Sequence, residues 1–135
     1  MPIDKLAILR EARSLGANAT LAQVSAALGK RNVAERAEAK KARYRVELWD
    51  KKSPINGMPA EQVLAARTDI PQNGEVYLIY IDGKLVYFQP HPPDEGGIRA
   101  MTKDEALQIA SAHVNRMVEA EAEAEIAREV LEELL

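Results

Sequence analysis

The chain has 135 residues, 47% of them hydrophobic and 29% charged, which is the size and composition of one ordinary domain able to bury its own core. It contains no cysteine, which excludes disulfide bridges and thiolate metal sites and fits a reducing compartment. No run approaches the ~18 apolar residues of a membrane span, and the first residues lack a signal-peptide pattern. We therefore expect a cytoplasmic protein with no membrane partner.

The net charge of −3 is distributed unevenly along the chain. Residues 1–45 carry a net charge of +6, residues 46–100 carry −3, and residues 101–135 carry −6. An asymmetry of this kind suggests that the two ends of the chain face different partners, or each other.

Three helices are predicted at the start of the chain. Residues 3–15 have an apolar stripe at helical spacing, and Gly16 is well placed to end that helix. Thr20 and Gln23 form a capping-box pattern at the start of a second helix. Residues 31–42 are rich in alanine and alternating charge, so they favour a helix by composition while offering little to bury.

The pattern changes to that of a sheet at Arg43. Residues 43–50 alternate polar and apolar side chains, which is typical of a strand, and a short helix is predicted over 59–67. Asp82-Gly83 lies between two β-rich runs, as in a hairpin with a two-residue turn. The predicted strands are residues 43–50, 75–82 and 84–90.

Both faces of the predicted hairpin are apolar. One face carries Val76, Leu78 and Tyr80, and the other carries Tyr77, Ile79 and Ile81. A small antiparallel sheet normally leaves one face in water. Each face here needs cover, either from helices of this chain or from another chain.

A long helix is predicted over 102–135, where Thr102 and Glu105 match a capping box and no glycine or proline follows. Its middle alternates glutamate and alanine, which we interpret as a charged spacer in water. Its far end is apolar again, through Ile126, Val130, Leu131, Leu134 and Leu135. A helix of this kind is expected to leave its own domain and contact something else.

The sequence therefore predicts an α+β fold, with a small three-stranded, mainly antiparallel sheet, flanking helices, an N-terminal helical region and a long C-terminal helix. The predicted domains are a helical region over 1–42, an α+β core over 43–118 and an acidic helical extension over 119–135.

A basic segment leaves two interpretations open. Residues 20–32 resemble the first helix and turn of a helix-turn-helix, although Glu35 stands where an apolar residue is expected. The candidate nucleic-acid contacts are Lys30, Arg31, Arg36, Lys40, Lys41 and Arg43. Residues 30–45 carry net +5 and residues 119–133 carry net −6, so we expect the basic segment to pair with the acidic helix rather than with nucleic acid.

Catalytic signatures are absent from the sequence. It shows neither a nucleophile beside a base nor a phosphate-binding glycine loop. His91, Asp94 and Glu95, with His113 elsewhere, could ligate a metal, but a solvent-exposed turn is the preferred interpretation. The aromatic residues of the strands favour a core over base stacking. We therefore expect no enzyme activity, no catalytic residue, no metal and no cofactor.

The function predicted from the sequence is a non-enzymatic protein–protein interaction or assembly subunit that forms a homo-oligomer. The layout is similar to that of many small assembly and accessory proteins, including those of bacteriophages. The alternative is a DNA-binding accessory or regulatory protein that uses residues 20–45. The predicted partner interface combines one sheet face with the end of the long helix, and consists of Tyr77, Ile79, Ile81, Ile126, Val130, Leu131, Leu134 and Leu135.

Overall fold

The structure, a computed structural model, describes residues 3–93 and 98–135. The helices are α1 (Lys5–Ser14), α2 (Leu21–Gly29), α3 (Val33–Lys40), α4 (Ala60–Ala66) and α5 (Lys103–Leu134). The strands are β1 (Tyr44–Leu48), β2 (Tyr77–Ile81) and β3 (Lys84–Gln89). All pairing between them is antiparallel, and β2 lies in the centre of the sheet. The α+β class and its elements are confirmed.

The chain divides into two compact units. We call residues 1–41 with 115–135 the helical unit, and residues 42–114 the sheet unit. The long helix α5 contributes its first part to the sheet unit and its remainder to the helical unit.

Local capping explains where the helices of the helical unit begin. The Asp4 carboxylate accepts hydrogen bonds from the backbone N–H groups of Leu6 and Ala7, at 3.0 and 3.2 Å. Thr20 and Gln23 form the reciprocal capping box that the sequence predicts. Because these bonds satisfy N–H groups that have no partner within a helix, they set the first residue of each helix.

The core of the helical unit includes the far end of α5. Ile126 and Val130 are fully buried there. The other buried residues of this core are Ile8, Leu9, Ala12, Ala19, Val24 and Ala27. Leu131 and Leu134 pack against this core and are partly buried, whereas Leu135 is 61% exposed. The apolar end of α5 lies outside the sheet unit, as expected, and α1 and α2 of the same chain supply the surface that covers it.

The middle of α5 was predicted to be a charged spacer in water, but one of its faces is buried. Buried residues recur every four positions along the helix, at Ala106, Ala110, Val114, Val118, Ala122, Ile126 and Val130. Alanine makes this stripe possible in the glutamate-rich stretch, because its small side chain lets a neighbouring helix approach closely.

In the sheet unit, both sheet faces have cover from this chain. One face forms a core in which Leu78 packs with Trp49, Val76, Ala60 and Val63. On the other face Tyr77 and Ile79 are fully buried, and the Tyr87 ring stacks on His113 of α5 at 4.3 Å. The covering helices are therefore α4 and the first part of α5.

Candidate partner-binding groove

The basic segment is largely neutralised by carboxylates of the same chain. Within the helical unit the ion pairs are Arg31–Glu133 at 3.0 Å, Arg36–Glu129, Arg36–Glu125, Lys40–Glu125 and Lys41–Glu38. The predicted pairing of the basic segment with the acidic helix is thus confirmed for Arg31, Arg36 and Lys40. The hydrogen bond from Arg36 holds the pKa of Glu129 below its ordinary value.

These pairs leave little free positive charge for phosphates. In the sheet unit, Arg43 adds a further pair with Asp82 at 2.8 Å. Of the six candidate nucleic-acid contacts, Lys30 is the one that has no ion pair among residues 3–93 and 98–135. One exposed lysine is a weak basis for binding a phosphate backbone.

The residues of the predicted partner interface belong to both units, and several of them are buried. Tyr77 and Ile79 are buried in the sheet unit, while Ile126 and Val130 are buried in the helical unit. Ile81, Leu131 and Leu134 are half-buried, and Leu135 is exposed. A partner therefore finds no accessible side chain at four of the eight positions.

A different apolar surface is open to a partner in the sheet unit, and we call it the β3 groove. Its volume is about 450 Å³. It is lined by Ile55, Asn56, Met58, Val63, Ala66, Arg67, Leu85, Val86, Tyr87 and Phe88. Met58 and Val86 are 45% and 48% exposed, so two large apolar side chains lie open to solvent in the same groove, which suits it for contact with a partner.

One wall of the groove is the open side of β3. Its four lining residues, 85–88, are consecutive. Side chains alternate between the faces of a strand, so four consecutive lining residues place the groove along the strand edge. Among the described residues no strand pairs with the outer side of β3, so the backbone N–H and C=O groups on that side have no strand partner.

A bulge in the middle of β3 turns Val86 outward. Ile79 is opposite Tyr87 and Tyr80 is opposite Leu85, so Val86 has no register partner on β2. An extra residue of this kind bends the strand and re-aims a side chain. The exposure of Val86 in the groove follows from this local geometry.

The opposite wall combines a tight turn with helix α4. Ile55 and Met58 exchange two backbone hydrogen bonds of 2.9 Å around Asn56 and Gly57. Both central residues have positive φ, at 47° and 81°, which is the conformation of a two-residue hairpin turn. The turn holds Met58 at the groove, and α4 contributes Val63 and Ala66, with Arg67 directly after it.

Arg67 is the one residue of the groove lining that is charged at neutral pH, and its charge is paired. Its guanidinium donates two hydrogen bonds of 2.8 Å to the Asp69 carboxylate and lies 4.8 Å from the centre of the Phe88 ring. These hydrogen bonds are the main reason why the pKa of Asp69 falls to about 2. His91 lies 3.5 Å from the same carboxylate. The groove is thus apolar, with a neutralised ion pair at its side.

The two edges of the sheet differ in character. Strand β1 exposes Arg45 and Glu47, which form an ion pair at 2.9 Å, and charged side chains are a common protection for a sheet edge. Strand β3 exposes Lys84 at its start and Val86 in its middle, and Val86 lies in an apolar groove. The apolar edge is therefore the one that suits a partner.

Metal ligands do not gather in the described part of the chain. Asp94 and Glu95 lie outside the described residues, and within those residues no three acidic or histidine side chains are grouped to hold a metal ion. Nor does any described helix have both the length and the apolar character to cross a membrane.

Comparison with known proteins identifies no relative of this chain. It matches no protein-family model, no curated protein and no solved structure. The site therefore has to be interpreted from its own geometry.

Proposed function

We propose that the protein is a non-enzymatic, cytoplasmic interaction subunit, and that it binds a short extended apolar segment of a partner protein in the β3 groove. The functional class is the one predicted from the sequence, and the surface is new. The observation that supports it most is the exposure of Met58 and Val86 in a groove along the outer edge of β3, which pairs with no strand among the described residues.

The free backbone groups of β3 favour an extended occupant. A segment laid along a strand edge gains main-chain hydrogen bonds, while alternate side chains enter the adjoining pocket. At about 450 Å³ the groove has room for a few apolar side chains. A helix would leave the backbone groups of β3 without partners, because its own groups are already paired.

Charge complementarity favours an uncharged occupant. The guanidinium of Arg67 is already bound by Asp69, and the remaining lining residues carry no charge at neutral pH. A carboxylate on the partner would compete with Asp69, and an ammonium group would lose its water without gaining a partner. The expected segment is therefore rich in Leu, Ile, Val or aromatic residues.

The bulge in β3 argues against a second copy of the sheet as occupant. Bulges at edge strands limit continuous pairing between identical edges. A short segment needs only part of the strand, so it tolerates the interruption at Val86. The homo-oligomer predicted from the sequence remains a separate prediction, which light scattering of the full chain tests.

A peptide selection tests this proposal. We expect a random peptide library, selected on the full chain, to enrich apolar extended sequences. Val86→Arg should weaken their binding about tenfold or more, since burying a valine is worth about 1.5 kcal/mol. Leu21→Arg is the matched control, because Leu21 is 44% exposed but belongs to the helical unit.

Two results would refute the proposal. One is a selection that enriches nothing, and the other is a set of peptides that bind the Val86→Arg variant and the wild type equally well. The DNA-binding alternative predicts instead an affinity for duplex DNA that falls steeply with salt and depends on residues 20–45.

A further inference from the structure

The helical unit contains a groove of its own, which we call the α1–α5 groove. It has a volume of about 710 Å³. Its lining consists of Ile3, Asp4, Ala7, Ile8, Glu11, Arg116, Glu119, Ala120, Glu123, Ala124 and Ala127. None of these residues lines the β3 groove, so an inference about this surface does not depend on the proposed function.

The floor of the α1–α5 groove is formed by small apolar side chains. Ala7, Ala120 and Ala124 are exposed to solvent. Burial of a side chain as small as that of alanine changes the free energy little in either direction. Ala120 and Ala124 are one turn apart on α5, so they form a low strip along that helix. Such a strip lets the ridge of another helix approach the backbone closely.

The rim of the groove is acidic on both walls. Asp4 and Glu11 belong to the α1 wall, and Glu119 and Glu123 belong to the α5 wall. Arg116 is the one cation in the lining, which leaves a net charge of −3. An apolar floor between two rows of carboxylates is complementary to an apolar stripe flanked by lysine or arginine.

The walls are helical, and this decides the shape of the occupant. The backbone groups of α1 and α5 are hydrogen-bonded within their helices, so an extended segment would find no main-chain partners along most of this groove. A helix brings its own backbone bonds and offers side chains at the matching spacing of three and four residues. We infer that the α1–α5 groove binds a basic amphipathic helix of a partner protein.

The inference is tested with a synthetic probe on the full chain. The probe is a labelled amphipathic peptide of about 18 residues, five helical turns, with a leucine and alanine stripe flanked by lysines. We expect saturable binding by fluorescence anisotropy, which weakens as sodium chloride is raised. The same peptide with glutamate in place of every lysine should bind about tenfold more weakly or not at all.

Substitutions in the chain identify the surface to which the probe peptide binds. The double variant Glu11→Lys, Glu119→Lys should weaken binding about tenfold, because it reverses one charge on each wall. The double variant Glu35→Lys, Glu132→Lys is the control, with the same change in net charge at exposed carboxylates of the helical unit outside the groove. Ala124→Phe fills the floor and should abolish binding, while Ala112→Phe on the same helix should not.

Several results would overturn the inference. They are the failure of the lysine peptide to bind, equal binding of its glutamate counterpart, and equal weakening by the two double variants. A dimer of the wild type that Ala124→Phe converts to a monomer would overturn it too, and would assign the groove to a second copy of this chain.

Discussion

Asp82 and Gly83 form a turn in which both residues have positive φ, at 51° and 81°. A Cβ atom at Gly83 would meet nothing within 4 Å, so the glycine is needed for its backbone conformation alone. We expect Gly83→Ala to lower the free energy of unfolding by about 1 kcal/mol, measured by chemical denaturation.

Gly29 provides a matched control for that substitution. It ends α2 and lacks a positive φ, and a Cβ atom added there would also meet nothing within 4 Å. Gly29→Ala should leave stability unchanged or raise it by up to about 1 kcal/mol. If both variants lose stability equally, the assigned turn is wrong.

The Asp69 carboxylate makes the stability of the sheet unit depend on pH in the acidic range. Its pKa is lowered from 3.8 to about 2, chiefly by its hydrogen bonds to Arg67. A carboxyl whose pKa is lower in the folded state stabilises the fold above its unfolded pKa, and this contribution disappears as the pH falls through its folded pKa. We expect Asp69→Asn to be less stable than the wild type at neutral pH.

The difference between Asp69→Asn and the wild type should shrink as the pH falls from 3.8 towards about 2, followed by denaturation at each pH. Glu61→Gln removes an exposed carboxylate of α4 that has no ion pair among the described residues, and it serves as the control. A difference that is constant across this pH range would contradict the assigned role of Asp69.

Helix α5 is the element that the sequence predicted in extent but not in environment. Thr102 predicted its start, and the lack of glycine and proline predicted its length. Its packing depends on Ala122, which is fully buried, and an alanine among glutamates carries no pattern that separates a close helix contact from exposure to water. The hairpin was more predictable, because the Asp82-Gly83 signal is local.

The end of α5 offers a direct test of that packing. Ile126 is fully buried in the core of the helical unit. We expect Ile126→Ala to destabilise the protein by about 2–5 kcal/mol, the usual effect of leaving a cavity in a core. Leu135→Ala is the control, because Leu135 is 61% exposed, and it should change stability by less than about 0.5 kcal/mol.

The same variant, measured by thermal or chemical denaturation and by light scattering, separates two roles for the end of α5. If the helix end were an association surface outside the fold, Ile126→Ala would change the mass of the protein in solution and leave the stability of the monomer intact. That outcome would restore the interface predicted from the sequence.

At the scale of the whole molecule, most large apolar side chains of the described residues are covered by other parts of the same chain. The sheet faces are covered by α4 and α5, and the basic segment is paired with glutamates of α5. The β3 groove and the α1–α5 groove are apolar surfaces that stay open to solvent. Neither could be predicted from sequence, since each requires residues far apart in the chain, such as Met58 and Val86, to meet in the fold.

Mapping a selected peptide on the full chain by amide chemical shifts tests most directly whether the β3 groove is the binding site. We expect the largest changes to fall in residues 55–58, 63–67 and 84–88, and Val86→Arg to remove them. Changes centred on residues 30–45, or on the end of α5, would contradict the proposed site.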